Sequence, residues 1–242
     1  MGDPTPDSAR NGAGGHLGSP GDRSWSPRDP SATYRCLRSL THAINRVYWR
    51  VETEGTEGIP ASGPVIIAPV HRSFMDFFVA SELTRRKLYY MAKDDLWSSP
   101  TLGRLVESLG AFPVNRAGAD RVALGRAQQV LEAGQVLVLF PEGTRREGPL
   151  VEDLHEGAAF LASRTGAPIV PVGIGGTEGA MPKGSRLPKP VKVVVVAGEP
   201  IYPPVRTPGG HVPRRQVREL TAELRDEIQR LFDLARHAAG LA

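Results

Sequence analysis

Short apolar runs alternate with amphipathic segments along most of the chain. The apolar runs predict buried strands at residues 65–70, 88–92, 111–114, 135–140, 168–174 and 191–197. The segments with helical spacing predict helices at residues 74–86, 102–109, 120–133 and 152–164. Strands separated by helices are typical of the α/β class. We therefore expect one α/β domain with a largely parallel or mixed sheet flanked by helices.

Two further amphipathic segments flank this domain. The first has an apolar stripe made of Tyr34, Leu37, Leu40, Ile44, Val47 and Tyr48. The arginines between these positions are Arg35, Arg38, Arg46 and Arg50. This pattern predicts a basic helix that either packs its stripe on the domain or lies in an anionic membrane surface. The second stripe, from Val217 to Ala235, predicts a long C-terminal helix.

The sequence thus divides into four predicted parts. Residues 1–30 are rich in Gly, Pro and Ser without periodicity, and we expect a disordered tail. The amphipathic helix follows at 31–50, the α/β domain at 51–205 and the C-terminal helical segment at 206–242. No apolar stretch approaches the roughly 20 residues that span a bilayer, and the N-terminus lacks the apolar core of a signal peptide. Any membrane contact is therefore expected to be peripheral.

Composition narrows the functional classes. The chain has 242 residues and a formal charge of only +4, so it lacks the charge expected of a nucleic-acid-binding protein, although anionic partners are favoured. The single cysteine, Cys36, excludes an intrachain disulfide and a zinc ribbon. We expect no metal site and no resident cofactor.

His71 and Asp76 form the first candidate site. His71 directly follows the apolar run at 65–70, where ligands gather in parallel sheets. On one continuous helix the two residues would lie about 140° apart. If His71 lies in the turn and Asp76 in the first helical turn, the carboxylate can reach the imidazole and orient it as a general base. By itself, the spacing fits a helix-capping histidine and a solvated aspartate equally well.

A second candidate site follows the strand at 135–140. Residues 140–146 read Phe-Pro-Glu-Gly-Thr-Arg-Arg. Gly143 permits a close backbone approach, and Arg145 can bind a phosphate through two hydrogen bonds. A solvated turn is the alternative interpretation. Residues 173–179 (GIGGTEG) superficially resemble a dinucleotide-binding loop, but the third glycine is one place late and no helix is expected to follow.

Four blocks in order resemble the 1-acyl-glycerol-3-phosphate acyltransferase family. They are the HxxxxD block at 71–76, G-x-F-x-V-x-R at 110–116, FPEGTR at 140–145 and V-P-V-G-I at 170–174. The resemblance covers roughly residues 58–200. It departs from the family at Leu154-His155-Glu156-Gly157, where members commonly have a basic patch, and at Asn115, where an acidic residue is common.

The resemblance implies a role for each matching residue. His71 matches the catalytic base and Asp76 its partner. The positions that match the acceptor and phosphate site are Lys93, Arg116, Glu142, Gly143, Thr144 and Arg145. Pro171 matches a residue on the acyl-donor side. The implied reaction uses acyl-CoA or acyl-carrier protein as co-substrate and a lysophosphatidate-like acceptor, in phospholipid biosynthesis.

Two alternatives remain open on the sequence. One alternative is an acyltransferase whose acceptor is glycerol 3-phosphate, a lyso-aminolipid or a glycolipid, and the other is a non-catalytic lipid-binding module. For the enzyme, we expect peripheral binding at the cytoplasmic face of the plasma membrane through the basic helix. The oligomeric state is left undetermined.

Overall fold

A computed structural model describes residues 27, 30–114, 120–181, 187–204 and 213–241. The strands are β1 (Glu52–Glu54), β2 (Val65–Pro69), β3 (Leu88–Lys93), β4 (Ala111–Val114), β5 (Val136–Val138), β6 (Ile169–Gly175) and β7 (Val194–Ala197). The helices are α1 (Ala32–Val47), α2 (Asp76–Val79), α3 (Pro100–Ser108), α4 (Arg121–Glu132), α5 (Gly157–Thr165), α6 (Thr177–Ala180) and α7 (Arg214–Ala238). The predicted tail at 1–30 lies almost entirely outside the described residues, and the four-part division stays a prediction.

The strands form one mixed sheet in the order β1-β7-β6-β2-β5-β3-β4. Pairing is parallel from β6 across to β4, β7 runs antiparallel to β6, and β1 is parallel to β7. The predicted α/β class and largely parallel sheet are confirmed. Because β2 lies between β5 and β6, the loops that follow these three strands meet at one edge of the sheet.

Helices α4, α5 and α7 cover one face of this sheet. Helix α5 contacts both of its neighbours, and α7 packs along β6 and β7. The contact with β6 is backbone on backbone, because a Cβ atom at Gly173 would lie 2.2 Å from the carbonyl of Leu231, and one at Gly175 2.4 Å from that of Ala235. Only glycine permits this approach, which brings α7 close to the loop that follows β6.

Four predicted elements differ in extent, and one of them is the strand predicted at 135–140, which is limited to Val136–Val138. The helix predicted at 74–86 ends as α2 at Val79 and continues as a 3₁₀ turn at Ala80–Glu82. The carbonyl of Phe78 accepts from the side chain of Asn45 on α1, a tertiary contact, and from the nearby hydroxyl of Ser81. The helix predicted at 152–164 begins only at Gly157, and the strand predicted at 191–197 begins at Val194.

The late start of α5 also has a tertiary cause. The backbone N–H of His155 donates to the carbonyl of Pro141 at 2.9 Å, and that of Val151 donates to Gln229 on α7 at 2.7 Å. These bonds hold the segment extended across the sheet edge. The strand β1 was missed because it is a short, exposed, charged edge strand without an apolar signal.

Helix α1 packs through one edge of its apolar stripe and through the polar side chains next to that edge. Its buried residues are Tyr34, which belongs to the stripe, and Asn45, whereas Leu40 is 57% exposed and Val47 80% exposed. Only part of the stripe therefore packs on the domain, which corrects the interpretation that the whole stripe does so. Among the described residues, no helix combines the length and the apolarity needed to cross a membrane.

Candidate active site

The structure brings His71 and Asp76 together at the end of β2. His71 lies in the turn after the strand, and Asp76 is the first residue of α2. The imidazole Nδ1 donates to Oδ2 of Asp76 at 2.8 Å. The side chains are 4% and 0% exposed, so the bond is shielded from water. Because Nδ1 is engaged with the carboxylate, Nε2 is the nitrogen left for proton transfer.

The carboxylate of Asp76 is held by further donors. The backbone N–H groups of Arg72 and Ser73 donate to Oδ2 at 2.7 and 2.8 Å. The hydroxyl of Thr177, at the start of α6, donates to Oδ1 at 2.6 Å. A buried carboxylate with this many donors is fixed in orientation and remains an acceptor.

A buried ion pair joins the turn at His71 to the loop that follows β5. The guanidinium of Arg72 donates to both carboxylate oxygens of Glu142, at 2.7 and 2.8 Å. The same carboxylate accepts the backbone N–H of His71 at 2.8 Å. Arg72 also donates to the carbonyls of Gly148 and Leu150. Removing either charge would leave the other buried and unpaired, so this pair locks the two loops together.

Aromatic rings and one glycine complete the inner wall. Phe140 stacks on the imidazole of His71 at 4.1 Å between centroids, and Phe77 meets it edge-on at 5.5 Å. Gly143 has φ +70°, and a Cβ atom there would lie 2.6 Å from Cδ2 of His155. Glycine at this position therefore permits the turn and allows the imidazole of His155 to pack against the backbone of Gly143.

A cleft of about 960 Å³ opens beside His71. The residues predicted for the acceptor site that line it are Lys93, Glu142, Gly143, Thr144 and Arg145. Thr144 and Arg145 are exposed to the cleft, and Lys93 pairs with Asp95. Arg146 and His155 line it as well. The outer part of the cleft is therefore rich in groups that bind anions.

Two predicted residues do not support their assigned roles through their side chains. Glu142 is 1% exposed, and its carboxylate accepts hydrogen bonds from Arg72 and from the backbone N–H of His71. This position favours a role in stabilising the loop over direct contact with an acceptor. Pro171 lies inside the sheet, paired with Ala68 of β2, and its carbonyl accepts from Gly198. Its link to the acyl donor stays a prediction. Arg116 lies outside the described residues.

An apolar cavity of about 120 Å³ adjoins the cleft. The two share Phe74 and Phe77 as lining residues, and Tyr34 of α1 and Val106 of α3 line the far part. Burial raises the pKa of Tyr90 far above its ordinary value, so its hydroxyl stays neutral and donates to the carbonyl of Phe77 at 3.1 Å. Aliphatic and aromatic surface thus leads away from the imidazole.

Sequence reasoning missed Arg72 and Thr177. Arg72 lies within the HxxxxD block, but a charged residue in a turn gives no sign of burial. Thr177 lies in the glycine-rich segment that resembled a dinucleotide loop, 101 residues from Asp76 along the chain. Only the pairing of β2 with β6 brings the two together.

Comparison with known proteins places this site in a family. The family model described as Acyltransferase matches residues 50–175, which contain the HxxxxD and FPEGTR blocks. The chain belongs to the acyltransferase family. The resemblance stated from the four blocks is confirmed, and the transferase class follows from it.

Relatives of this acyltransferase family member include bacterial and plant proteins. The chain is 26% identical to the 1-acyl-sn-glycerol-3-phosphate acyltransferase of Bacillus subtilis, over 82% of this chain and 96% of that protein. It is 28% identical to a chloroplastic 1-acyl-sn-glycerol-3-phosphate acyltransferase of Brassica napus over 64% of this chain. The match spans only 46% of the Brassica protein and 39% of an Arabidopsis thaliana relative.

A solved structure agrees with the fold. The 1-acyl-sn-glycerophosphate acyltransferase PlsC from Thermotoga maritima superposes with a TM-score of 0.65. The two are 26% identical, and the match covers 81% of this chain and 78% of that chain.

Proposed function

We propose that this acyltransferase moves an acyl group from a thioester, acyl-CoA or acyl-carrier protein, to the free hydroxyl of a lysophosphatidate-like acceptor. The observation that carries the proposal is the buried His71–Asp76 pair at the wall of a cleft that Lys93, Arg145 and Arg146 also line, with an apolar cavity adjoining that cleft. The names of the relatives in Bacillus subtilis and Brassica napus support this choice of acceptor.

The reaction needs one base and no acyl-enzyme. Nε2 of His71 takes the proton of the acceptor hydroxyl while that oxygen attacks the thioester carbonyl. Asp76 stabilises the imidazolium that forms. When the tetrahedral intermediate collapses, the C–S bond breaks and the thiolate takes the proton from His71. The products are an ester and a free thiol, and His71 returns to its neutral form.

The two cavities suit the two ends of the substrates. The apolar cavity accommodates part of an acyl chain next to Phe74 and Phe77. Arg145 and Lys93 line the same cleft as His71, and their positive charges suit the binding of an acceptor phosphate. The acceptor hydroxyl and the thioester carbon would then meet at His71.

The exposed stripe of α1 suits access to lipid substrates. Leu40, Ile44 and Val47 are exposed on a helix that also carries exposed Arg35 and Arg46. Apolar side chains next to basic ones fit the interface of an anionic lipid surface. We therefore include peripheral membrane binding through α1, at the cytoplasmic face of the plasma membrane, in the proposal.

The test is a panel of acceptors assayed with labelled acyl-CoA and acyl-carrier protein, with products identified by lipid mass spectrometry. The panel contains lysophosphatidate, glycerol 3-phosphate, a lyso-aminolipid and a glycolipid. We expect phosphatidate as the main product, and a loss of about 10²- to 10⁴-fold in kcat for His71→Ala. His237→Ala, near the end of α7, is the matched control and should retain full activity.

Three results would contradict the proposal in different ways. Transfer only to acceptors without phosphate would overturn the acceptor assignment and leave the chemistry. Full acyl transfer by His71→Ala would overturn the role of the base, and liposome binding without any transfer would favour a lipid-binding module.

A further inference from the structure

We infer that Thr177 is a positioning residue for acyl transfer, because its hydroxyl sets the plane of the Asp76 carboxylate that orients His71. The inference rests on the proposed function, since it concerns the same site. Thr177 is fully buried, and Oγ1 lies 2.6 Å from Oδ1 of Asp76. It is not one of the residues that line the cleft, so we expect its effect on the reaction to pass through Asp76.

The donors to Asp76 divide between its two oxygens. Oδ2 accepts from Nδ1 of His71 and from the backbone N–H groups of Arg72 and Ser73. These bonds fix one oxygen and still allow the carboxylate to rotate about it. The bond from Thr177 to Oδ1 fixes the second oxygen, and the two oxygens together with Cγ determine the plane of the carboxylate. The direction of the lone pair that meets Nδ1, and with it the tilt of the imidazole, follows from that plane.

The position of Thr177 is itself set by the fold. Strand β6 runs parallel to β2, so the residue after Gly176 arrives beside the turn that holds His71. Glu178 anchors this segment, because its carboxylate accepts from the backbone N–H of Gly176 at 3.2 Å and from Arg236 on α7 at 3.0 Å. Helix α7 thus helps to hold the hydroxyl of Thr177 in place, although this helix lies outside the four blocks that resemble the acyltransferase family.

The chemistry favours a hydroxyl at this position. An O–H group donates to the ionised carboxylate and brings no charge of its own. Without the hydroxyl of Thr177, Oδ1 of Asp76 is a buried acceptor with no donor from α6. The carboxylate can then rotate toward a different donor. A small tilt of the imidazole misplaces Nε2 relative to the acceptor hydroxyl, which lowers the rate of the chemical step more than it affects substrate binding.

The experiment compares Thr177→Val, which keeps the shape, with Thr177→Ser, which keeps the hydroxyl. We expect Thr177→Val to lower kcat roughly 10- to 100-fold with both KM values unchanged, and Thr177→Ser to restore most of the rate. The matched control is Thr165→Val on α5, whose hydroxyl bonds to the carbonyl of Leu161 at 2.8 Å away from the site. It should keep the wild-type kcat. If Thr177→Val does not fold, Thr177→Ala takes its place, since it removes the hydroxyl without adding a methyl group beside Oδ1.

A second measurement is independent of turnover. The Nδ1 proton of His71 is buried and bonded to Asp76, so it should give a downfield proton NMR signal that is absent in His71→Ala. We expect the signal to move or broaden in Thr177→Val and to stay in place in Thr177→Ser. An unmoved signal, a wild-type kcat in Thr177→Val, or an equal loss of kcat in Thr177→Ser would overturn the inference. If the wild-type protein transfers no acyl group, the proposed function fails, and the NMR signal alone decides the role of Thr177.

Discussion

Helices α1 and α7 are both amphipathic, yet they meet the domain through opposite kinds of face. Helix α7 buries its apolar stripe, including Leu224, Ile228 and Phe232, against the sheet. Helix α1 leaves Leu40, Ile44 and Val47 exposed and binds the domain through Tyr34 and a set of polar side chains. The comparison shows that an amphipathic pattern indicates an apolar face and a polar face. Tertiary contacts decide which of the two is buried.

The polar contact of α1 is a set of bonds to the turn that follows α2. The guanidinium of Arg38 donates to the carbonyls of Ser81, Thr84 and Arg86. Asn45 donates to Glu82 at 2.7 Å, and Nδ1 of His42 contacts the same carboxylate at 2.7 Å. These bonds satisfy carbonyl groups that end α2 early, so α1 and the turn depend on each other.

The two helices also support different parts of the site. Helix α7 holds the inner wall, because Phe232 lies 4.8 Å from the guanidinium of Arg72 and Gln229 donates to the carbonyl of Pro149. Helix α1 contributes Tyr34 and Arg38 to the apolar cavity. We therefore expect changes in α7 to act on stability and catalysis, and changes on the outer face of α1 to act on lipid binding.

The largest predicted effect tests the buried stripe of α7. Ile228→Ala should lower the free energy of unfolding by about 2–5 kcal/mol, because it leaves a cavity at a fully buried position between the helix and the sheet. Ile44→Ala, the same change on the exposed face of α1, should stay within about 0.5 kcal/mol. Urea denaturation of both variants measures the difference. Similar losses for the two would contradict the assignment of the faces.

The next prediction concerns the polar contact of α1. Arg38→Met should lower the free energy of unfolding by about 1.5–3 kcal/mol, since a charged donor is lost and the carbonyls of Ser81 and Thr84 lose their partner. Hydrogen exchange should also quicken in α1. Arg46→Met, an exposed position of the same helix, is the control and should change neither quantity. An unaltered stability of Arg38→Met would show that α1 docks by other means.

The third prediction tests the exposed stripe. A Leu40→Ser/Ile44→Ser double variant should bind anionic vesicles at least about 10-fold more weakly, because each side chain can contribute roughly 1.5–3 kcal/mol on full burial. Its free energy of unfolding should be unchanged. Leu234→Ser, a 48% exposed position on α7, should bind like the wild type. Vesicle sedimentation at two salt concentrations measures the apolar and the electrostatic contributions to binding. Equal binding by the wild type and both variants would exclude α1 as the membrane contact.

The smallest effect is a pH dependence on the outer face of α7. The hydrogen bond from Arg230 lowers the pKa of Glu227 below its ordinary value of 4.5. The pair therefore stabilises the protein above that value, and the contribution is lost as the pH falls through the lowered pKa. Glu227→Gln should cost less than about 1 kcal/mol near neutral pH and nothing in strong acid. Glu223→Gln, exposed on the same helix, should show no such pH dependence in urea denaturation.

Much of the fold could be predicted because its signals are local. The runs of β2, β3 and β4 and the cap of α4 by Asp120 depend on a few neighbouring residues. The end of α2 and the start of α5 could not be predicted, because distant groups bond to carbonyl and N–H groups that would otherwise have extended the two helices. The role of Glu142 could not be predicted for the same reason. Its sequence block suggested a contact with the acceptor, whereas its carboxylate is bonded to Arg72, 70 residues away in the chain.

The sequence by itself determined the α/β class, the turn that holds His71 before Asp76 and, through four short blocks, membership of the acyltransferase family. Those features need only local periodicity or adjacent residues. The tertiary structure alone decided which face of α1 is buried and that Thr177 meets Asp76. Both depend on contacts between segments that are far apart in the chain. Such contacts produce no periodic pattern of apolar residues, so the sequence alone does not reveal them.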